Sequence, residues 1–397
     1  MKAVEFGTLF EFIRNGMNVR QDKSGEGLPI TRIETISEAV VDGTRVGYAG
    51  LRENDCDGWL LQYGDILFSH INSVEHIGKC AVYEGAPEKL VHGMNLLCLR
   101  PDKAKLVPQF AKYLIRSMVF RSRLSNFINK AVNQASVSIG NLKTIPVEVP
   151  TLDEQRRIAA ILDKADAIRR KRQESIRLTE EFLRSTFLEM FGDPETNPKG
   201  WPEIRLEDIA DIQSGITKGR KLNGQETMNV PYMRVANVQD GHIALGEIKE
   251  IEATPVEIER YRLLSGDILL TEGGDPDKLG RGAVWQGEIT PCIHQNHIFR
   301  VRPNADKVLP DYLSALIGSV RGKQYFLGAA KQTTGIASIN KTQLSNFPAL
   351  LPPIALQRQF TETVRKIEAV QVKLSTISEL QGTCINSLTH RAFRGEL

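Results

Sequence analysis

Two matched cations are the residues of this sequence whose type and spacing most suggest ligand chemistry. Lys79 lies in GKCAVYEG and Arg281 lies in GRGAVWQG, and four of the eight positions of these segments are identical. In both segments the cation follows a glycine and precedes an apolar run. Glycine lets a ligand backbone approach closely, and a neighbouring cation suits a phosphate. The alternative interpretation is a surface cation at a hairpin.

Two polar patches, residues 133–136 (NQAS) and 331–334 (KQTT), suggest a second kind of chemistry. Amide, hydroxyl and ammonium groups of this kind hydrogen-bond to base edges and phosphates. The same residue types are ordinary in loops, so composition favours neither interpretation.

A histidine and an aspartate each occur in a matched pair. His92 and His294 suggest a metal ligand or a base reader, but we favour a strand-edge histidine whose ring bonds to the backbone. Asp65 and Asp267 each lie in a Gly-Asp-Ile-Leu segment. Because glycine and aspartate favour turns, we interpret this pair as a turn before a strand rather than as catalytic carboxylates.

Motifs that would indicate catalysis are missing from the sequence. It contains no GxxxxGK[ST] phosphate loop, no GxGxxG after a strand, no HExxH and no GxSxG. It also lacks an Asn-Pro-Pro-aromatic run that would hold a flipped base. We therefore predict no catalytic residues, no metal site and no cofactor bound by this chain. The side chains of the basic run 169–172 would project in all directions around a helix, so we interpret most of them as solvent-exposed.

Composition places the chain among ordinary globular proteins. Of 397 residues, 41% are apolar and 25% are charged, which excludes a wholly disordered or fibrous chain. The net charge of +3 excludes a polybasic protein but permits local basic patches. Five scattered cysteines without a CxxC pair argue against a disulfide framework or a zinc site. With no apolar run of 18 residues and no secretory signal, we expect a cytoplasmic protein without membrane segments.

The matched residues recur because the chain repeats itself. The matched cations, histidines and aspartates, and also Arg100 with Arg302, are each separated by 202 positions. A constant offset over more than 150 residues indicates a tandem duplication of a domain-sized unit. The units differ at SHINSVEH (residues 69–76) and TEGGDPDK (residues 271–278). In these segments His70 and Asn72 can read base edges, and Glu272 can accept from a cytosine amino group.

Each unit is predicted to contain short strands, a helical stretch, a polar patch, a short strand and a long helix. No Pro or Gly interrupts residues 152–191, and Thr151 with Glu154 predicts a capping box. In the second unit, apolar residues from Phe360 to Leu388 recur at spacings of three and four. A helix of about 40 residues is about 60 Å long and needs a partner for such a stripe. We predict that the two long helices pack antiparallel, with the modules at opposite ends.

Several segments resemble a known family, the specificity (S) or HsdS subunits of type I restriction-modification systems. The most specific are NQASVSIGNLKTIPVEVPTLDEQRRIAAILDKAD and MFGDPETNPKGWPEIRLEDIADIQSG. The pattern SGDILL…LGRGAVWQG and the ending AFRGEL are also similar, and the resemblance covers essentially the whole chain. One position departs from the family pattern, because Leu356 stands where the family prefers glutamate.

The resemblance implies an α+β fold with two duplicated mixed α/β target-recognition domains. Two long antiparallel helices, a coiled-coil-like rod with a pseudo-twofold axis, would separate these domains. The predicted parts are a first recognition domain (1–150), a central helix (151–191), a second recognition domain with its linker (192–352), and a C-terminal helix (353–397).

The resemblance also implies a function and partners. The chain would do no chemistry, each recognition domain would read one half of a split, asymmetric site on double-stranded DNA, and the helices would set the spacing. Two modification subunits would use S-adenosylmethionine, and restriction subunits would use ATP and Mg²⁺. The alternatives are a coiled-coil scaffold whose modules bind protein or glycan, and a recognition half from a system that fuses enzyme and reader.

The predicted site residues combine the matched cations, the polar patches, the divergent segment and the helix starts. For DNA binding they are Arg32, Ser69, His70, Asn72, Lys79, Asn133, Gln134, Ser136, Lys218, Arg220, Arg234, Thr271, Glu272, Arg281, Lys331, Gln332 and Thr333. For partner binding they are Gln155, Arg156, Ile176, Gln357 and Arg358.

Overall fold

The structure is a computed structural model that describes residues 2–36, 39–130, 134–222, 224–275, 279–333 and 336–392. The chain forms two compact units, one comprising Met1–Glu174 with Ser375–Leu397 and the other Ser175–Leu374. None of the helices among the described residues combines the length and apolar character that crossing a membrane requires.

The first unit is built on a four-stranded antiparallel sheet of order β2-β8-β5-β7. Its strands are β1 (Lys2–Glu5), β2 (Phe10–Asn15), β3 (Ile30–Thr31), β4 (Val46–Gly47), β5 (Ile66–Phe68), β6 (Ile71–Asn72), β7 (Cys80–Val82), β8 (Leu97–Pro101), β9 (Asn129–Lys130), β10 (Ala135–Ser136) and β11 (Pro146–Val149). Its helices are α1 (Pro108–Arg116), α2 (Met118–Ser125), α3 (Ile139–Lys143) and the first part of α4 (Leu152–Phe191).

The second unit repeats this plan around a sheet of order β13-β20-β16-β18. Its strands are β12 (Glu203–Arg205), β13 (Ala210–Ser214), β14 (Met228–Met233), β15 (Lys249–Ala253), β16 (Ile268–Thr271), β17 (Gly273–Gly274), β18 (Gly282–Val284), β19 (Ile293–His294), β20 (Ile298–Pro303), β21 (Lys331–Thr333), β22 (Ile336–Ser338) and β23 (Pro348–Leu350). Its helices are α5 (Pro255–Tyr261), α6 (Pro310–Ile317), α7 (Val320–Ala329), α8 (Lys341–Ser345) and α9 (Ile354–Ala392), of which α9 extends beyond the unit. The predicted α+β fold with two duplicated mixed units is thus confirmed.

The predicted single helical stretch of each unit is instead a pair of helices. In the first unit the break falls at Ser117, whose Oγ accepts a hydrogen bond from the Phe120 backbone N–H at 3.2 Å. Serine is a strong helix N-cap, so it ends one helix and starts the next. The predicted capping box is not found among the described residues: Thr151 and Glu154 share no side-chain hydrogen bond there, and the Glu154 carboxylate pairs with Arg157 at 2.9 Å.

Each long helix buries one face in the core of a unit. Ile158 and Leu162 of α4 are buried in the first unit against the helices and the sheet. Phe187 and Phe191, near the end of α4, are buried in the second unit together with Phe360 of α9.

Within the second unit the long helices run antiparallel, as predicted. Near the start of α9, the Phe360 ring centroid lies 5.7 Å from that of Phe187. Further along α9, Gln371 Nε2 donates to Thr179 Oγ1 at 2.8 Å. A later residue of α9 therefore contacts an earlier residue of α4, which is the antiparallel arrangement. For the other half of the pair, side chains 375–390 lie outside the description, and antiparallel packing there stays a prediction.

Candidate nucleic-acid interface

A small three-stranded sheet in the first unit joins the polar segments that the sequence analysis considered separately. β6, from the divergent segment, pairs with β10, from the polar patch, and Asn72 lies opposite Ala135. β10 pairs in turn with β9, and Ser136 lies opposite Asn129. The His70 carbonyl accepts from the Val137 N–H at 2.9 Å and continues this pairing.

The second unit contains the same small sheet, in the order β17-β22-β21. Gly273 lies opposite Ser338, which also lies opposite Lys331 of the second polar patch. The Glu272 carbonyl accepts from the Ile339 N–H at 2.9 Å, as His70 does in the first unit. The fold therefore places both divergent polar segments at equivalent positions.

The matched cations lie where these small sheets leave the central sheets. The Ser69 N–H donates to the Lys79 carbonyl at 2.9 Å, and the Thr271 N–H donates to the Arg281 carbonyl at 3.0 Å. Both cations are half-buried, and neither side chain has a hydrogen bond or ion pair with another described residue. Arg281 Nε is buried without an acceptor in that part of the chain. Both cations are therefore available to an anion.

The glycines before these cations have a different role from the one predicted. Gly78 and Gly280 adopt φ values of +82° and +72°, which side-chain-bearing residues rarely do. A Cβ at Gly78 would lie 2.9 Å from Leu124, and one at Gly280 would lie 2.6 Å from Phe326. The glycines are therefore explained by backbone conformation and by a closely packed helix, not by the approach of a ligand.

Three residues of the divergent segments are too buried for the predicted contact. Ser69 and Thr271 are each 1% exposed, so their prediction as DNA-binding residues is wrong for this conformation. His70 is 7% exposed, and burial lowers its pKa, so its ring is neutral at pH 7. Asn72 is half-buried, and its side-chain amide lies 3.4 Å from Ser69 Oγ.

Three of the other predicted cations are paired within their own unit. Arg32 Nε donates to Glu34 at 2.7 Å, and Arg234 donates to the Glu247 carbonyl at 3.1 Å. Arg220 binds both carboxylate oxygens of Glu257, at 2.5 and 2.7 Å, and lowers the pKa of that carboxyl to about 2. Each of these arginines already has an acceptor within its own unit and is therefore a weaker candidate for a DNA contact.

The remaining predicted DNA-binding residues are mainly on the surface. Lys218 and Lys331 are exposed, Gln134 is exposed and Ser136 is half-buried. Only the backbone of Gln332 and Thr333 is described, in β21, and Asn133 lies outside the described residues. The structure brings the polar-patch residues into the small sheets, whereas Lys218 follows β13.

The matched aspartates and histidines are structural, as interpreted, and each aspartate has an arginine partner that was not predicted. Asp65 accepts two hydrogen bonds from Arg100, both at 2.8 Å, and Asp267 accepts two from Arg302, at 2.6 and 2.8 Å. The signal was present, because aspartate and arginine recur with the same offset.

The matched histidines are buried and bonded to the backbone. His92 Nε2 lies 2.9 Å from the Leu96 carbonyl, and His294 Nδ1 lies 3.1 Å from the Tyr261 carbonyl. Burial lowers the pKa of both rings to about 4. Among the described residues no cluster of three or more His, Cys, Asp or Glu side chains could hold a metal ion.

Two residues predicted to bind a partner subunit instead join each long helix to its own unit. Gln155 is 1% exposed, and its side chain accepts from the Val107 N–H at 2.8 Å and donates to two carbonyls. Gln357 is fully buried and accepts from the Leu309 N–H at 2.8 Å. Because these amides are buried and used within the chain, the prediction of a direct partner contact is wrong for both.

The other three predicted partner residues lie on the helix surface. Arg156 is exposed and pairs with Asp153 at 2.7 Å, Arg358 is exposed, and Ile176 is half-buried. Each is accessible on a long helix, and their role in partner binding stays a prediction.

A duplicated α+β unit, each copy of which ends in a long helix, is the architecture that the sequence resemblance implied for a specificity subunit. The family model described as type I restriction modification DNA specificity domain matches residues 1–179 and 198–381. The chain belongs to this family and is a DNA sequence-specificity subunit of a type I restriction-modification system.

Several known proteins are similar to this chain. It is 30% identical over 376 residues to the putative type I restriction enzyme MjaX specificity subunit of Methanocaldococcus jannaschii, covering 92% of this chain and 86% of that protein. The StySPI specificity subunit of Salmonella potsdam is 25% identical, covering 96% of this chain and 84% of the relative. A crystal structure of the S subunit from M. genitalium has the same fold, with a TM-score of 0.58, 14% identity and coverage of 99% and 96%.

Proposed function

We propose that each unit reads one half of a split, asymmetric DNA target through its small sheet and the adjacent matched cation. The observation that supports this most directly is the equivalent placement of the divergent polar segments beside Lys79 and Arg281, which have no described side-chain partners. Because the small sheets are placed equivalently, both units have a DNA-facing element. Because their polar segments differ in sequence, each unit has its own sequence preference.

The long helices have two roles in this proposal. They set the distance between the half-sites, and their exposed faces dock two modification subunits. S-adenosylmethionine would bind to those subunits, and ATP and Mg²⁺ to restriction subunits, so this chain contributes recognition without a catalytic group. The low net charge fits such a division, because partner subunits can supply part of the attraction to phosphate.

A domain exchange tests the two-reader proposal. Replacing residues 201–352 with the equivalent segment of a relative is expected to change one half of the methylated motif and leave the other half unchanged. Sequencing of methylated adenines in cells that express the parent or the exchanged chain measures this. A palindromic parental motif, or a change in both halves, would show that the units do not read separately.

Removal of the matched cations tests the DNA contact. Lys79→Ala and Arg281→Ala are each expected to weaken DNA binding. For a phosphate contact, the loss is uniform across sequences and the salt slope of binding falls by about one. For a base contact, discrimination at one base pair falls by roughly 1–3 kcal/mol. Titration of the assembled complex at several salt concentrations distinguishes these outcomes, with Lys103→Ala, an exposed cation of the first unit, as the control. Unchanged binding by both variants would make them ordinary surface cations.

A further inference from the structure

An exposed histidine outside the predicted site residues lies beside the small sheet of the second unit. His297 immediately precedes β20, and its carbonyl accepts from the Glu272 N–H at 3.0 Å. Glu272 connects β16 to β17, the first strand of the small sheet, and its own carbonyl accepts from the Ile339 N–H. His297 is thus attached to the element that we propose faces DNA.

The imidazole of His297 is held by one nitrogen. Its Nδ1 lies 2.6 Å from Glu272 Oε2, while the side chain remains 57% exposed. Nδ1 donates to the carboxylate, which orients the ring, and Nε2 has no bond to any other described residue. An exposed side-chain contact of this kind contributes little to stability, so folding alone gives little reason for it.

The first unit places its imidazole differently at the same pair of positions. There the residues 202 positions earlier are His70, in place of Glu272, and Asn95, in place of His297. The histidine is therefore on the opposite strand of the pair, and His70 is buried whereas His297 is exposed. The two units share most of their sheet and helix framework. At this pair of positions, however, an imidazole is exposed only in the second unit.

We propose that His297 is a specificity-determining residue of the second unit and contacts a base edge through Nε2, with Glu272 as its positioning residue. This inference rests on the proposed function of the small sheet. It assigns Glu272 a different role from the predicted acceptance from a cytosine amino group, because Glu272 Oε2 is bonded to Nδ1. The oriented ring can approach a base without losing further rotational freedom, and this favours discrimination.

Two conservative variants of His297 distinguish a base contact through Nε2 from a purely structural contact with Glu272. His297→Asn places an amide near the Nδ1 position, so it keeps a bond to Glu272 but removes the outward nitrogen. His297→Gln extends an amide toward the Nε2 position. Glu259→Gln is the matched control, since Glu259 is an exposed carboxylate of the second unit that also has a side-chain partner, Arg262 at 3.6 Å.

The assembled complex with its modification subunits is tested on a DNA library randomised across the half-site that the 201–352 exchange identifies. His297→Asn is expected to lose preference at one base pair by at least about fivefold, His297→Gln to keep part of it, and Glu259→Gln to match the parent. Parental preferences in His297→Asn, or an equal loss at all positions, would overturn the role of His297. A parent complex without sequence preference would instead contradict the proposed function itself.

Discussion

Replacing Asp65 with alanine is expected to lower the free energy of unfolding of the first unit by about 3–5 kcal/mol. The Asp65 side chain is 2% exposed and its partner Arg100 is 17% exposed, so removal of the carboxylate leaves a largely buried guanidinium without its counter-charge. The Gln62 N–H, which donates to Asp65 at 2.8 Å, also loses its acceptor. Urea unfolding of the purified chain, followed by a probe in the unit that carries the substitution, measures the change.

Two comparisons make this expectation specific to the buried pair. Asp267→Ala is expected to cost less, because Arg302 is 33% exposed and water can partly replace the carboxylate. Asp153→Ala breaks an ion pair of the same chemistry in which the aspartate is 95% exposed, and little change is expected. If all three variants unfolded at the same urea concentration, the matched pairs would have no special role in stability.

The duplication was the most informative feature of the sequence, since it predicted features that depend on local packing. Buried residues such as Asp65 and Gln155 have matched partners 202 positions later, because both units need the same turn and the same helix attachment. The repeat also predicted that Lys79 and Arg281 occupy equivalent places, which the structure confirms. A pattern that recurs within one chain reports on shared three-dimensional constraints.

The roles of individual polar residues were harder to predict, because burial is a tertiary property. Ser69 looked suitable for base contact, yet it lies where a strand leaves the central sheet, its backbone is bonded to Gly78 and Lys79, and it is 1% exposed. Gln155 looked like a surface helix residue, yet its amide satisfies backbone groups beside α1. His297 was missed because the residue at its position in the first unit is asparagine, so a search for matched residues passes over it. Recognition residues are expected to differ between units, and they are therefore the ones that a repeat does not reveal.

Replacing Phe360 with alanine is expected to destabilise the second unit by about 3–5 kcal/mol, since a buried aromatic side chain is lost and a cavity remains. Phe360 is 2% exposed, and its ring centroid lies 5.5 Å from that of Phe191. The same cluster includes Tyr312, whose ring centroid lies 4.6 Å from that of Phe191. Removal of the Phe360 ring should therefore loosen both the contact between α4 and α9 and the packing of these helices on the rest of the second unit. Thermal unfolding of the purified chain measures the change.

The functional consequence follows from where this cluster lies. Phe187 and Phe360 join α4 to α9 where both helices meet the second module, so their contact sets how that module is attached to the helix pair. Phe360→Ala should therefore weaken assembly with a modification subunit, whereas Phe182→Ala, at a position 57% exposed on α4, should leave thermal stability nearly unchanged. If Phe182→Ala weakened assembly without loss of stability, it would identify the exposed helix face as the docking surface. If Phe360→Ala unfolded at the parental temperature, the two helices would not be coupled through this aromatic cluster.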